Sequence, residues 1–360
     1  MFIADSNDRK LRFQPKDAET LKPQRQLCGI RFSTDGKQLF AGGCDGRVWR
    51  WDLSGDKPKD LQAWDNGGGW VQGLELHPKD GRLFTADSWG ALQAWNPADA
   101  APKPLWARKD AHDGWIHALA VSPDGHWLAT AGIDAAVRVW SAKDGRRKFA
   151  FQDDNPDAET FSATFHPGGK SLVTGDLFGR VRQWDVATGK QTREFDAKGL
   201  CKHHRLQDVG GARVLAFDDT GDLLFVAGTK PKNGGNVQGT PTVLVFDWKT
   251  GKLQRSLELG RTSDVYVCAL AYHPEGFLMA ALSGSPGRGK IVFQRPADKQ
   301  PFYTTANYRN CHSLSLHPGG RRFAVTSTNN GSNGNGRRLK NGEYVGNHSP
   351  VHLFDFPADS

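Results

Sequence analysis

The chain has 360 residues, with 42 Gly, 12 Trp, only 2 Met and 38% hydrophobic residues, a mixture that suits short strands and tight turns better than packed helices. Lys and Arg number 47 against 39 Asp and Glu, a formal charge of +8 and a mild basic excess. The start MFIADSNDRK shows no basic-then-apolar leader and no segment nears the roughly 20 apolar residues of a membrane span, so a secretory or membrane-spanning chain is not expected.

From the amino terminus onward, KLRFQ at 10–14 has strand character and precedes any repeat. A pattern then recurs seven times: apolar–small–apolar, in its fullest form followed by Ser-Pro or His-Pro, then Gly. It reads GIRFSTDG at 29–36, GLELHPKDG at 73–81, ALAVSPDG at 118–125 and SATFHPGG at 162–169. It continues as VLAFDDTG at 214–221, ALAYHPEG at 269–276 and SLSLHPGG at 313–320. Each unit runs on through a second apolar strand to a third that closes on an aromatic residue. The closing residues are Trp51, Trp95, Trp140, Trp184, Phe246, Phe293 and Phe354, and the first four are spaced by 44, 45 and 44 residues. Leu119 and Val121 alternate with Ala118 and Ala120, a strand period, and Asp45-Gly46 and Asp124-Gly125 are strong turn pairs.

Chemical motifs are scarce. No GxSxG, GxxxxGK[ST] or HExxH sequence occurs, so no catalytic residue, cofactor or metal site is predicted. The five cysteines, Cys28, Cys44, Cys201, Cys268 and Cys311, lie far apart without a CxxC pair, which argues for reduced thiols in a cytoplasmic protein. The most metal-like group is Cys201, His203 and His204 in GLCKHHRLQD. It has no evident fourth ligand, and Lys202 and Arg205 repel cations, so a solvated basic loop is expected.

Units of this kind resemble the WD-repeat β-propellers, over essentially residues 26–356. The third unit carries the likeness furthest, with His112 ahead of ALAVSPDG and then LATAGIDAAVRVW. In that family a His, a Ser or Thr, an Asp and a Trp tie a blade together, and the resemblance assigns those places to His112, Thr130, Asp134 and Trp140. The first unit lacks the His, and units five to seven carry Phe for Trp. The fold class implied is all-β: a seven-bladed β-propeller of four-stranded antiparallel blades spanning 1–360. Its last blade would be completed by a strand from the closing segment 1–25, taken as KLRFQ, because VHLFDF at 351–356 would otherwise leave an open edge.

The resemblance also places the segment leading into each unit, and the turn between its second and third strands, on one face. Trp70 and Trp115 fall in leading segments, seven residues before His77 and Ser122, while Trp89 and Phe178 fall in the turns. Cys28, Gln72, His117, Phe161, Arg213, Cys268 and His312 take equivalent positions at the mouth of the central channel. Insertions near 229–241 and 328–349, with SGSPGRGK of unit six, bring Lys230, Lys232, Arg288, Lys290, Arg337, Arg338 and Lys340 to the same face, where Glu343 is their one acidic companion. RLK-NG-EYV at 338–345 reads as a hairpin about Asn341-Gly342.

These features predict a non-enzymatic scaffold. An aromatic patch of Trp70, Trp89, Trp115, His117 and Phe178 would bind protein or peptide, and the basic crescent would meet an acidic partner. The expected form is a monomeric propeller within a larger complex. Two alternatives remain: an enzyme or small-ligand binder at the channel mouth around His117, Arg213 and His312, and a nucleic-acid-associated propeller. The second is weakened because Tyr344 is the one aromatic residue among the basic loops.

Overall fold

The computed structural model describes residues 12–99, 102–153, 155, 157–203, 208–233, 238–284, 287–328 and 348–357. Among these residues, short strands joined by tight turns form seven four-stranded antiparallel sheets. The innermost strands are Leu27–Phe32, Val71–Leu76, Ile116–Val121, Thr160–Phe165, Ala212–Phe217, Tyr266–His273 and Ser313–Leu316. Each packs on the next around a ring, and the last packs back on the first.

Polarity within a blade follows distance from the axis. In the third blade, Trp127–Gly132 and Ala136–Ser141 are almost wholly buried, whereas the outer strand Arg147–Gln152 alternates between exposed and half-buried residues. The core lies between blades. Phe225, Val243 and Val245 of the fifth blade, for example, share one apolar cluster with Leu278, Leu282 and Val292 of the sixth. Removing such surface from water drives the blades together.

The recurring His-Pro turns latch neighbouring blades on the side opposite the channel mouth. His166 Nε2 donates to Gly221 O at 3.1 Å and His273 Nε2 to Gly320 O at 2.8 Å, each on the turn of the next blade. The other ring nitrogen accepts from its own turn, Gly168 N to His166 Nδ1 at 2.9 Å and Glu275 N to His273 Nδ1 at 3.1 Å. His317 lies on Gly36 in the same way, across the seam between the last blade and the first. Gly36 has φ +72°, and a side chain there would run into the His317 ring, so this turn requires glycine twice over.

The third blade holds the assigned tetrad. Trp140 Nε1 donates to Thr130 Oγ1 at 2.9 Å, and Thr130 Oγ1 lies 2.7 Å from His112 Nε2. His112 Nδ1 is 2.9 Å from Asp134 Oδ1. Asp134 stays ionised because the His112 and Arg138 partners outweigh the cost of its burial, so Nδ1 carries the proton and the Thr130 hydroxyl donates to Nε2. Arg138 Nη1 sits 2.7 Å from both His112 Nδ1 and Asp134 Oδ2; with Nδ1 protonated, the guanidinium donates to the carboxylate.

The second blade repeats this chain with asparagine in the histidine's place. Trp95 Nε1 donates to Thr85 Oγ1 at 3.0 Å, Thr85 Oγ1 to Asn66 Oδ1 at 2.6 Å, and Asn66 Nδ2 to Asp87 Oδ2 at 3.1 Å. One amide offers the same donor and acceptor as a neutral imidazole, without its titration. The fourth blade keeps the Trp184–Thr174 bond at 2.9 Å. There, ion pairs of Arg180 with Asp176 and of Arg180 and Arg182 with Asp153 replace the rest. In blades five to seven, phenylalanines pack instead: Phe293 against Phe277 and Phe323, and Phe354 stacked on Phe323 at 4.6 Å.

The last blade is closed by an amino-terminal strand, but not by KLRFQ. Lys16–Leu21 pairs antiparallel with Val351–Asp355, from Lys16 opposite Asp355 to Leu21 opposite Val351. An outermost strand faces solvent, so KDAETL is polar and shows no apolar pattern. Phe13 of KLRFQ has another use: it is buried among Phe277, Phe356 and His273. The insertion expected near 229–241 is mostly an extended hairpin, Leu223–Asn233 against Gln238–Asp247. Most of the 328–349 insertion, with its Asn341-Gly342 hairpin, lies outside the described residues.

Two predictions follow from this architecture. Deleting residues 1–22 should lower the melting temperature well beyond the effect of Phe13→Ala, itself expected to cost about 3–5 kcal/mol; circular dichroism melts compare the two, and equal melts would contradict closure by Lys16–Leu21. Thr85→Val and Thr130→Val keep the side-chain shape but strand a buried Trp N–H. Each should cost about 1–3 kcal/mol in urea unfolding, and no measurable loss would contradict the relay.

Candidate functional site

Cys28, Gln72, His117, Phe161, Arg213, Cys268 and His312, one from each blade, all line the axial channel, a cavity of about 370 Å³. Their equivalence follows from the repeat: Cys28, Gln72, His117, Phe161, Arg213 and Cys268 each sit at the register shift near the start of the innermost strand, and His312 immediately precedes its strand. Their chemistry differs around the ring. Cys28 and Cys44 bring their sulfurs to 3.3 Å, and burial pushes the Cys268 thiol up to about 12. His312 is tied to backbone on both sides, with Nδ1 3.0 Å from Asn310 O and Nε2 3.0 Å from Leu27 O.

A row of ring contacts runs along the mouth from blade two to blade five. Trp70 and Trp115 are in ring contact at 5.4 Å, Trp115 and His117 at 6.2 Å, and His117 and Phe161 at 4.9 Å. The Arg213 guanidinium lies over the Phe161 ring at 3.5 Å, a close cation–π contact. Arg213 Nε donates to Gly210 O at 2.7 Å. That carbonyl is set by a two-stranded ribbon, Cys201–Lys202 with Val209–Gly210, which is where the GLCKHHRLQD segment goes. In it His203 Nδ1 faces Asp208 at 3.0 Å, and burial pushes the Cys201 thiol up to about 11. His204 lies outside the described residues, among which no group of three or more His, Cys, Asp or Glu side chains is arranged to hold a metal.

Deeper in the channel Arg31 is matched by Glu75 at 2.7 Å. Arg213 has no such partner: among the described residues no carboxylate lies within ion-pair distance, and its Nη groups meet no acceptor. Burial lowers its pKa from the usual guanidinium value, and the nearby Glu159 and Tyr266 side chains only moderate the effect. His117, in contrast to the charged Arg213, is neutral. Burial is the main cause, with the Arg213 charge adding to it, and together they push the imidazole down to about 4. Its Nε2 is buried without a hydrogen-bond partner, 3.6 Å from Glu159 Oε2.

The tryptophans divide into structural and surface residues. Trp95 and Trp140 are buried within blades, whereas Trp89 is 65% and Trp70 43% exposed. Trp115 is half-buried beside Ile133, whose amide bonds Trp115 O at 2.9 Å. The Trp89 ring lies over Gly68, where any side chain would strike it. Phe178 stands apart from this row, half-buried against His203 at 5.3 Å and under Arg180.

The described basic residues are unequal. Lys290 Nζ is bound by the buried Asp264 at 2.6 Å and Lys230 faces Glu258 at 3.4 Å, acids on neighbouring segments that a loop-by-loop charge count omits. Arg288 donates to Ser263 Oγ at 3.0 Å, and Lys232 is exposed. Arg337, Arg338 and Lys340 lie outside the described residues.

Glu159 and Tyr266 were not among the expected site residues. Both stand seven residues before the turn residue of their unit, His166 and His273, the offset that singles out Trp70 and Trp115. Extending that offset to every repeat would have found them.

Comparison with protein families agrees with this architecture. The family model described as "WD domain, G-beta repeat" matches residues 19–52 and 105–141. The first match takes in part of the outer strand that closes the last blade and the second the whole outer strand of blade two, each followed by the first three strands of the next blade. The second contains the whole His112–Thr130–Asp134–Trp140 tetrad. No curated protein matches the chain. With its seven four-stranded blades, the chain is a WD-repeat β-propeller. Such propellers are in general protein-interaction scaffolds rather than enzymes. Among the described residues no helix is long and apolar enough to cross a membrane.

The lowered His117 pKa links pH to stability. An unfolded imidazole titrates near 6.5, so the neutral folded form is favoured above that pH, and stability falls as pH drops from about 6.5 towards 4, by at most about 3 kcal/mol from this residue. Burial lowers the pKa of His112, His273, His312, His317 and His352 too, with the same sign. Urea midpoints at pH 7 and 4.5 should therefore differ less for His117→Gln than for the wild type; an unchanged difference would contradict this assignment.

Proposed function

We propose that this propeller is a non-catalytic scaffold that docks a protein or peptide segment on the face carrying the channel mouth. The observation behind this reading is where exposed apolar surface collects. Among the described residues five large apolar side chains are exposed, and Trp70, Trp89 and Ile133 all lie on this face of blades two and three. Exposed tryptophans give up much apolar area on contact and are enriched among binding hot spots. Trp115, His117 and Phe161 continue the surface inward, and Phe178 extends it towards blade four. Lys230, Lys232, Arg288, Lys290, Arg337, Arg338 and Lys340 make the acidic-partner half of the reading, with Lys232 and Arg288 its most available described members.

Among the described residues the enzyme alternative finds no convergent chemistry at the mouth. Glu75 is neutralised by Arg31, His312 has no nitrogen to spare, and His117 is pushed away from the protonated form a general acid would need near neutrality. The reading includes a monomeric propeller within a larger complex, and the five free thiols support its cytoplasmic part.

Trp89→Ala and Trp115→Ala should each weaken binding of a selected peptide about tenfold or more, with Trp89→Ala leaving the melting temperature unchanged. Full binding by both variants would count against this face. Salt separates the nucleic-acid alternative: its log–log salt slope should approach one per phosphate neutralised, whereas peptide docking on tryptophans should give a much shallower slope.

A further inference from the structure

We infer that the tryptophan rim and Arg213 form one composite groove for a short acidic peptide, with an apolar side chain seated on Trp70, Trp89 and Trp115 and a carboxylate on the Arg213 guanidinium. This rests on the docking face proposed above and supplies the ligand's chemistry.

Continuity is the first argument. Trp70, Trp115, His117, Phe161 and Arg213 form an unbroken row, with steps of 5.4, 6.2, 4.9 and 3.5 Å. The row is at most about 20 Å long, which an extended segment of roughly six residues covers at about 3.3 Å per residue. It leads from the exposed ring of Trp70 into the channel, where the Arg213 Nη groups have no acceptor among the described residues.

Charge is the second argument. The guanidinium uses one face on Phe161 and Nε on Gly210 O, which fixes its plane and leaves the two Nη groups available. A planar fork held in this way matches a carboxylate through two parallel hydrogen bonds. A half-buried cation without a counter-ion is costly, and a ligand carboxylate removes that cost. Other cations here are already matched: Arg31 by Glu75, Arg138 by Asp134 and Lys290 by Asp264. The unpaired Nε2 of His117 lies along the row but is buried, 3.6 Å from Glu159 Oε2, so the imidazole contributes its ring rather than a hydrogen bond.

Polarity sets the direction. Glu159 stands beside His117, between the tryptophans and Arg213, and would repel a carboxylate placed there. Beyond it, blades five and six present Lys232 and Arg288 on the same side as Arg213. The ligand's apolar residue therefore belongs on blades two and three and its acid on blade five. A nucleic-acid strand fits less well, since its regularly spaced phosphates would meet Glu159 as well as Arg213.

The test is a random dodecapeptide phage library selected on the full chain, with one enriched peptide measured by fluorescence polarisation. Enrichment of Asp or Glu about four to seven residues from Trp, Phe or Leu is expected. Arg213→Gln should weaken that peptide about tenfold or more, and Arg213→Lys less. Replacing the peptide's acid by its amide should cost as much as Arg213→Gln and nothing further in combination with it. If Arg213→Gln folds poorly, Arg213→Lys and the amide peptide on the wild-type chain carry the test. An amide peptide that binds the wild type as well as the acid would overturn the inference.

Binding that depends on Trp89 but not on Arg213 or the acid would overturn this inference and leave the docking face standing. Binding indifferent to Trp89, Trp115 and Arg213 alike, or no enrichment, would overturn both. Full displacement by millimolar acetate or phosphate would show a free-anion site, and tighter binding of a dT12 oligonucleotide a nucleic-acid site; either result would overturn the acidic peptide as occupant.

Discussion

Closure of the ring is the constraint on which the rest of the molecule depends. The mouth is assembled from seven innermost strands, so no segment of the chain carries it alone. It exists because the last blade meets the first. Lys16–Leu21 pairs with Val351–Asp355, Ser313 Oγ accepts from Ile30 N at 3.1 Å, and Ser349 Oγ accepts from Leu27 N at 3.0 Å. His317 latches Gly36 on the opposite side. These contacts join residues some three hundred positions apart, whose loop-closure entropy is recovered only when the whole ring forms.

Within that ring, each blade solves the same problem with different side chains. A buried Trp N–H and a buried Asp must both be satisfied between strands. His112 does this in blade three through one protonated and one bare ring nitrogen, and Asn66 does it in blade two through one amide. Blade four uses arginines, and blades five to seven dispense with the indole and stack phenylalanines. The fold thus tolerates departures from its repeat where amides, ion pairs or stacked rings take the place of the histidine relay.

That tolerance explains what the sequence made legible. Apolar alternation, turn glycines and closing aromatics are set by burial on both faces of the inner strands, so seven units and the tetrad of blade three could be read directly. The closing strand could not, because an outermost strand faces water and KDAETL carries no apolar period, while the apolar Phe13 nearby belongs to a plug. Asn66 was invisible because the expected residue was a histidine. At the site, the mouth register was legible from the repeat, and so were Trp70, Trp89 and Trp115. The pairing of Lys290 with Asp264 was not, since the partners are 26 residues apart and meet only through the fold. Nor was the isolation of Arg213, which is a property of what surrounds it.

Most charges near the channel are matched and most aromatic rings are buried between blades. The exceptions, Arg213 and the blade-two and blade-three tryptophans, occupy one continuous stretch of one face. Hydroxyl-radical footprinting of the full chain, with and without a selected peptide bound, tests this most directly. The account predicts protection of Trp70, Trp89 and Trp115, with exposed Leu105 and Leu253 on other parts of the blades unchanged. Unprotected tryptophans, or protection centred on Leu105 or Leu253, would contradict it.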